Sequence, residues 1–170
     1  SRARAAARSF APSVPTRENA ALRLGAFTGA HAREGRDKLT LALPPSLEAL
    51  GLWIEQLVAE STGKNGRGIL PVPGEPLAAP AAYGRDRAFV RVKLVGQPEP
   101  EVDKALAALE QAGHPVLTIE LRDPLDLGAQ FLLWEIATAA AGFFLKVNPF
   151  DQPDVQAAKA SARELLAGPR

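Results

Sequence analysis

Three side chains carry groups that could do chemistry where the chain leaves them little freedom. Glu75 stands in "VPGEP" (72–76), between a glycine and a proline, just past a short apolar run. A partly buried carboxylate on so stiff a loop could act as a general base. Gln152 and Lys159 lie seven positions apart in "NPFDQPDVQAAK" (148–159). Seven residues is about two turns of helix, so an amide and an ammonium would point the same way. Pro149 stiffens the turn before them, and Pro153 suits a first helical turn, where its missing N–H costs nothing. A polar loop residue at 75 and a solvated lysine on a surface helix are the plainer readings of the same residues.

Other candidates are weaker. "STGKNGRG" (61–68) lacks the earlier glycine of a phosphate loop and has Asn65 where Ser or Thr is needed. Lys64 and Arg67 could still meet an anion, but a solvated loop is the expectation. No G-x-G-x-x-G supports a dinucleotide site, and no G-x-S-x-G supports a nucleophilic serine. His31 falls inside a helical pattern and is expected at the surface; His114 falls between a helix and a strand, where it would cap or face solvent.

Composition narrows the field. The 170 residues carry a net charge of +1, which gives no flood of cations for nucleic-acid phosphates. With no cysteine, disulfides, thiolate metal sites and a cysteine nucleophile are excluded. Two histidines and no carboxylates at ligand spacing leave no expected metal centre, and no cofactor is expected. Cysteine absence fits a cytoplasmic protein. The absence of methionine suggests a processed chain or a piece of something longer, with residues 1–16 read as a linker or cut edge and 17–168 as the domain. The apolar stretch 125–147 is broken by Asp126, Gln130 and Glu135, so a buried helix is expected and no membrane partner.

These residues need a frame. Apolar spacing predicts helices over 19–35, 101–113, 126–145 and 153–167, and one capped by Ser46 that closes near Gly63. Short apolar runs at 38–43, 68–72, 88–95 and 115–121 read as strands. Alternating strands and helices predict an α/β fold, a three-layer α/β/α sandwich with a doubly wound, mainly parallel sheet. Ligands in such sheets sit at the carboxyl ends of the strands, which singles out the loops after Leu43, Val72, Val95 and Leu121. The helix at 126–145 is apolar nearly all round, so a homodimer patch is expected beside its buried face.

"GLWIEQLVAESTGKNGRGILPVPGEP" (51–76) followed by "GFFLKVNPFDQPDVQAAK" (142–159) resembles the C-terminal half of the glucose-6-phosphate isomerases. "GRDKLTLALPPSLEALGLWIEQLVAESTGK" (35–64) looks like the branch fused behind a transaldolase. The resemblance runs from about 19 to 166 and implies a sugar-isomerase (SIS) domain. It implies an enzyme that interconverts glucose 6-phosphate and fructose 6-phosphate through an enediol, without metal or organic cofactor. Lys159 falls on the family's active-site lysine, Gln152 on its substrate-contacting glutamine and Glu75 on its proton-shuttling glutamate. Three departures from the pattern stand out. Asp154 and Gln156 replace a glycine and a glutamate, Leu77 and Ala78 replace a glycine and a threonine, and Asp103 stands for the ring-opening histidine. The family's first SIS domain, with its phosphate loop, has no counterpart here, so the site implied is completed by a missing domain. A non-catalytic sugar-phosphate-binding or assembly module remains the alternative.

Overall fold

A computed structural model describes residues 2–151 and 153–167, with backbone alone at 2, 3, 153 and 154. Four strands, β1 (Lys38–Ala42), β2 (Leu70–Pro73), β3 (Arg87–Leu94) and β4 (Val116–Leu121), pair in parallel in the order β2-β1-β3-β4. Around them lie α1 (Arg2–Ser9), α2 (Ala20–Arg33), α3 (Glu48–Thr62), α4 (Pro100–Gln111), α5 (Leu127–Leu145) and α6 (Pro153–Ala167). Alternation along β1 and β3 divides the core. Leu39, Leu41, Ala88 and Val90 face α2, α3 and α5, whereas Phe89 faces Leu106 and Leu109 of α4. Both faces of the sheet are covered, as its near-continuous apolar strands require. The three-layer, doubly wound sandwich expected from the sequence is the fold.

Local chemistry sets the boundaries. Asn19 caps α2, its side-chain oxygen accepting from the Leu22 amide at 3.1 Å. Ser46 does not cap α3. Pro45 already starts a 3₁₀ turn (Pro45–Leu47), so Ser46 lies inside it and the helix begins at Glu48 without a side-chain cap. Within the first 16 residues, Arg2–Ser9 is helical, and Phe10 just past it packs against the core.

The α2/α5 contact is unusually close. A Cβ on Gly25 would stand 2.5 Å from both the Ala137 carbonyl oxygen and the Ala140 Cβ; one on Gly29 would stand 2.8 Å from the Ala141 Cα. Small residues on both helices thus bring backbone against backbone. Pro124–Leu145 is long and apolar enough to cross a membrane by length and composition. In this fold Leu133, Trp134, Ala137, Ala141 and Leu145 are buried against α2, α3 and the sheet, whereas Leu125, Phe131 and Phe143 are exposed.

His31 is half-buried on α2 and not, as expected, at the open surface. Its ring meets Phe27 edge-on at 4.8 Å, and Nδ1 is buried without a hydrogen bond, 3.8 Å from Glu34. Burial lowers its pKa below 6.5, opposed by Glu34 and aided by Arg36. A pKa depressed on folding means stability is whole above pH 6.5 and falls as pH drops towards the folded value. Urea melts of His31→Gln should therefore show a shallower loss of stability than wild type between about pH 7 and 5. Identical slopes would show that the ring titrates as in the unfolded chain. Gly25→Ala should destabilise by about 1–3 kcal/mol through overpacking, outweighing its gain in helix propensity. A melt unchanged or raised would mean that α5 can move off.

Candidate functional site

A cleft of about 750 Å³ opens at the carboxyl ends of β1 and β2, between the first turns of α3 and α4. The loops after Leu43 and Val72 border it, two of the four that the strand order singles out. Its walls are apolar, from Leu43, Leu52, Leu77 and Val102, and its charged lining is Glu48, Glu75 and Glu101. No Lys, Arg or His lines it among the described residues. Glu48 and Glu101 stand in the first turns of their helices, where unpaired N–H groups favour anions.

Glu75 reaches this cleft by folding back over the sheet and not by projecting from its mouth. Gly74 takes φ +71°, which turns the chain after β2. The carboxylate then meets Thr40, at the buried centre of β1, and Arg87, at the start of β3. Oε2 accepts from Thr40 Oγ1 at 2.9 Å and from Arg87 at 2.7 Å, and the same guanidinium nitrogen lies 2.7 Å from Thr40 Oγ1. Arg87 also lies over the Tyr83 ring, 5.4 Å from its centroid. Oε1 takes no bond among the described residues. One oxygen is anchored and the other is available. Sequence reasoning missed Arg87; an arginine opening an otherwise buried strand was the signal.

Asp103, where the resemblance implies an imidazole, is paired instead. Its carboxylate lies 3.1 Å from Arg91 Nε and 3.2 Å from Lys93 Nζ. Glu99 completes the group at 3.3 Å from Arg91, whose side chain is 3% exposed. Neither histidine lines the cleft: His31 is on α2, and His114 packs edge-on to Phe89 at 5.6 Å, also facing Tyr83.

The loop at 61–68 is solvated at Gly63 and at Asn65, Gly66 and Arg67, but Lys64 is buried. Lys64 and Arg67 pair through their backbones across Asn65 and Gly66, both with positive φ, a tight two-residue hairpin. The side chain of Lys64 is 4% exposed and lies 3.0 Å from Asp151, while Arg67 donates to the Leu145 carbonyl at 2.8 Å. The Asn-Gly pair flanked by two cations was the sequence signal for this hairpin.

Of the remaining expected residues, Gln152 lies outside the described residues. Lys159 is exposed on α6, every described side chain of which is exposed, and α6 makes no hydrogen bond or ion pair to the cleft among the described residues. Nor is any group of three His, Cys, Asp or Glu side chains placed to hold a metal ion there.

No protein-family model matches the chain. It is 30% identical over 96% of its length to a glucose-6-phosphate isomerase of Streptococcus pyogenes, of which it covers 45%. It is 31% identical over 89% to the enzyme of that name from Exiguobacterium sibiricum, covering 42%, and 29% identical over 93% to that of Heliobacterium modesticaldum, covering 43%. A hypothetical protein of Thermus thermophilus has the same fold, with a TM-score of 0.74 at 23% identity over 98% of this chain and 49% of that one. The chain is thus similar along nearly all its length to glucose-6-phosphate isomerases, and spans less than half the length of these relatives.

Proposed function

We propose that this chain is the C-terminal SIS half of an aldose–ketose isomerase that interconverts glucose 6-phosphate and fructose 6-phosphate. The similarity to enzymes of that name over nearly the whole chain carries the reading. The placement of Glu75 supports it. In the open-chain aldose, Oε1 takes the proton from C2. The C2–H electrons form the C1=C2 bond of the enediol, and the carbonyl electrons move to O1, which is protonated. Return of the proton to C1, as the O2 hydroxyl gives up its proton and the C=C electrons move to C1, restores a carbonyl at C2 and gives the ketose. Thr40 and Arg87 hold Oε2 throughout, so one carboxylate geometry serves both transfers. Lys159 donates to oxygens bearing charge, and Gln152 grips the sugar chain.

The cleft cannot hold the phosphate. Its charged lining is three carboxylates, and a dianion set among them would be repelled. The reading therefore requires a first SIS domain, elsewhere in a longer polypeptide, to supply the phosphate loop, and a homodimer is the assembly proposed. A transaldolase domain ahead of both is part of the same proposal. No metal or organic cofactor enters this chemistry. The second reading, a sugar-phosphate-binding module without catalysis, is favoured by one observation: Asp103 is tied to Arg91 and Lys93, so the family's ring-opening imidazole has no substitute at that place.

Coupled assays of the full-length protein decide between them. Glu75→Gln and Lys159→Ala should each lower kcat by about a hundredfold or more, the scale of one acid–base group. Glu75→Gln should also abolish solvent deuterium uptake at C2, whereas Lys159→Ala should retain part of it. Turnover within about twofold of wild type in both folded variants would leave the binding module as the better reading. This chain on its own should turn over glucose 6-phosphate negligibly; full activity from rigorously purified material would remove the need for another domain.

A further inference from the structure

The hairpin at 64–67 has no part in the chemistry above, yet it buries a lysine. We propose that Lys64 is a positioning residue that fixes the turn at 146–151 and, through it, the point at which the Gln152 and Lys159 segment leaves the domain. The functional half of this proposal rests on the isomerase reading; the structural half does not.

An ammonium taken out of water is destabilising unless its donors are matched. Lys64 Nζ donates to the Asn148 carbonyl at 2.5 Å and pairs with Asp151 at 3.0 Å. Both partners lie on one four-residue stretch some 84 positions away in sequence. The cation is spent on that stretch and does not await an anion. Its neighbour works on the same feature: Arg67 satisfies the Leu145 carbonyl, one of the last of α5, which the helix leaves without an intrahelical donor.

The turn itself is prepared to receive this clamp. Lys146 ends α5 in the left-handed region at φ +57°, and the Val147 amide returns to the Gly142 carbonyl at 3.1 Å. Pro149 then lies on Gly142, where a Cβ would stand 3.0 Å from its Cδ. The Asn148 side chain accepts from the Phe150 amide at 3.1 Å. These contacts fix the turn's shape but leave the Asn148 carbonyl and the Asp151 carboxylate facing the hairpin. Lys64 is what joins that shape to α3, whose last residue, Thr62, bonds the Ile69 amide leading into β2. The amino end of β2 and the carboxyl end of α5 are thereby held in one frame; Glu75 lies past the other end of β2, and α5 leads to Gln152 and Lys159.

The test uses the full-length protein with Lys64→Met and, because that buried change could prevent folding, Asp151→Ala at a half-exposed carboxylate. Hydrogen exchange across 146–151 should quicken by at least about tenfold in either variant while β1 and β3 keep their protection. Because misplacing a site by an ångström can matter greatly, kcat for glucose 6-phosphate should fall by about ten- to a hundredfold. The double variant should be no worse than Lys64→Met alone, since the pair acts as one unit. A purely structural lysine would lower the melting temperature and leave kcat per folded molecule unchanged. Unaltered exchange at 146–151 in both variants would overturn the clamp. Faster exchange with unchanged kcat, in a protein whose Lys159→Ala variant is impaired, would overturn the positioning role. If Lys159→Ala is also neutral, the positioning role falls with it, and the isomerase reading falls too only where Glu75→Gln is neutral as well.

Discussion

Because Gly25 and Gly29 carry no Cβ, α2 lets the backbone of α5 come into direct contact, and the seating of α5 on the domain follows from that contact. α5 is apolar on nearly every side, so periodicity alone gives it no preferred rotation. Its orientation is set by shape: Ala137 and Ala141 fit the two glycines, and Trp134 and Leu133 then point to the core. That seating carries the helix's carboxyl end to the Lys64/Arg67 hairpin. A small-residue seam thus determines where a charged turn can form, far along the chain.

The charges of the sheet's other face follow a different rule. Arg87 and Arg91 are both largely buried, four residues apart on one strand and facing the same way, and each is matched by carboxylates from another element. Unmatched, either guanidinium would be strongly destabilising in that position. The pairs therefore tie the loop after β2 and the first turn of α4 to β3, and so set the two lips of the cleft. Glu75 belongs to both systems. It neutralises Arg87, and it lines the cleft with its second oxygen unbonded.

Much of the frame was legible in the sequence because period and punctuation agreed. Asn19 before a helical pattern, Gly63 at a helix end and short apolar runs between Pro and Gly each specify local structure by local physics. What was not legible depends on contacts between distant segments. No local signal distinguishes a solvated Lys64 from one buried under Asn148 and Asp151. The Asn65–Gly66 turn could have placed Lys64 and Arg67 side by side, but not what they meet. Glu75 could be assigned to a loop at the sheet's end, whereas its return over Thr40 needs Arg87 to be opposite. His31 looked like a surface residue because Arg33 and Glu34 flank it; Phe27, one turn earlier, covers it. Ser46 failed as a cap because the proline before it had already begun the turn.

On the proposed isomerase reading, the placement of the cations is what leaves this chain with half of a site. Arg87, Arg91 and Lys93 lie on the strand between the cleft's two lips and Lys64 and Arg67 at the turn after α5, and each is bound to a protein carboxylate or carbonyl. None of these groups lines the cleft, so a sugar phosphate seated there would meet no cation among the described residues. Releasing Arg87 would set Glu75 adrift, and releasing Lys64 would free the turn that leads to Lys159. On the isomerase proposal, phosphate recognition therefore falls to other segments and the cleft is left to the uncharged end of the sugar, where Arg87 anchors one oxygen of Glu75 and leaves the other unbonded.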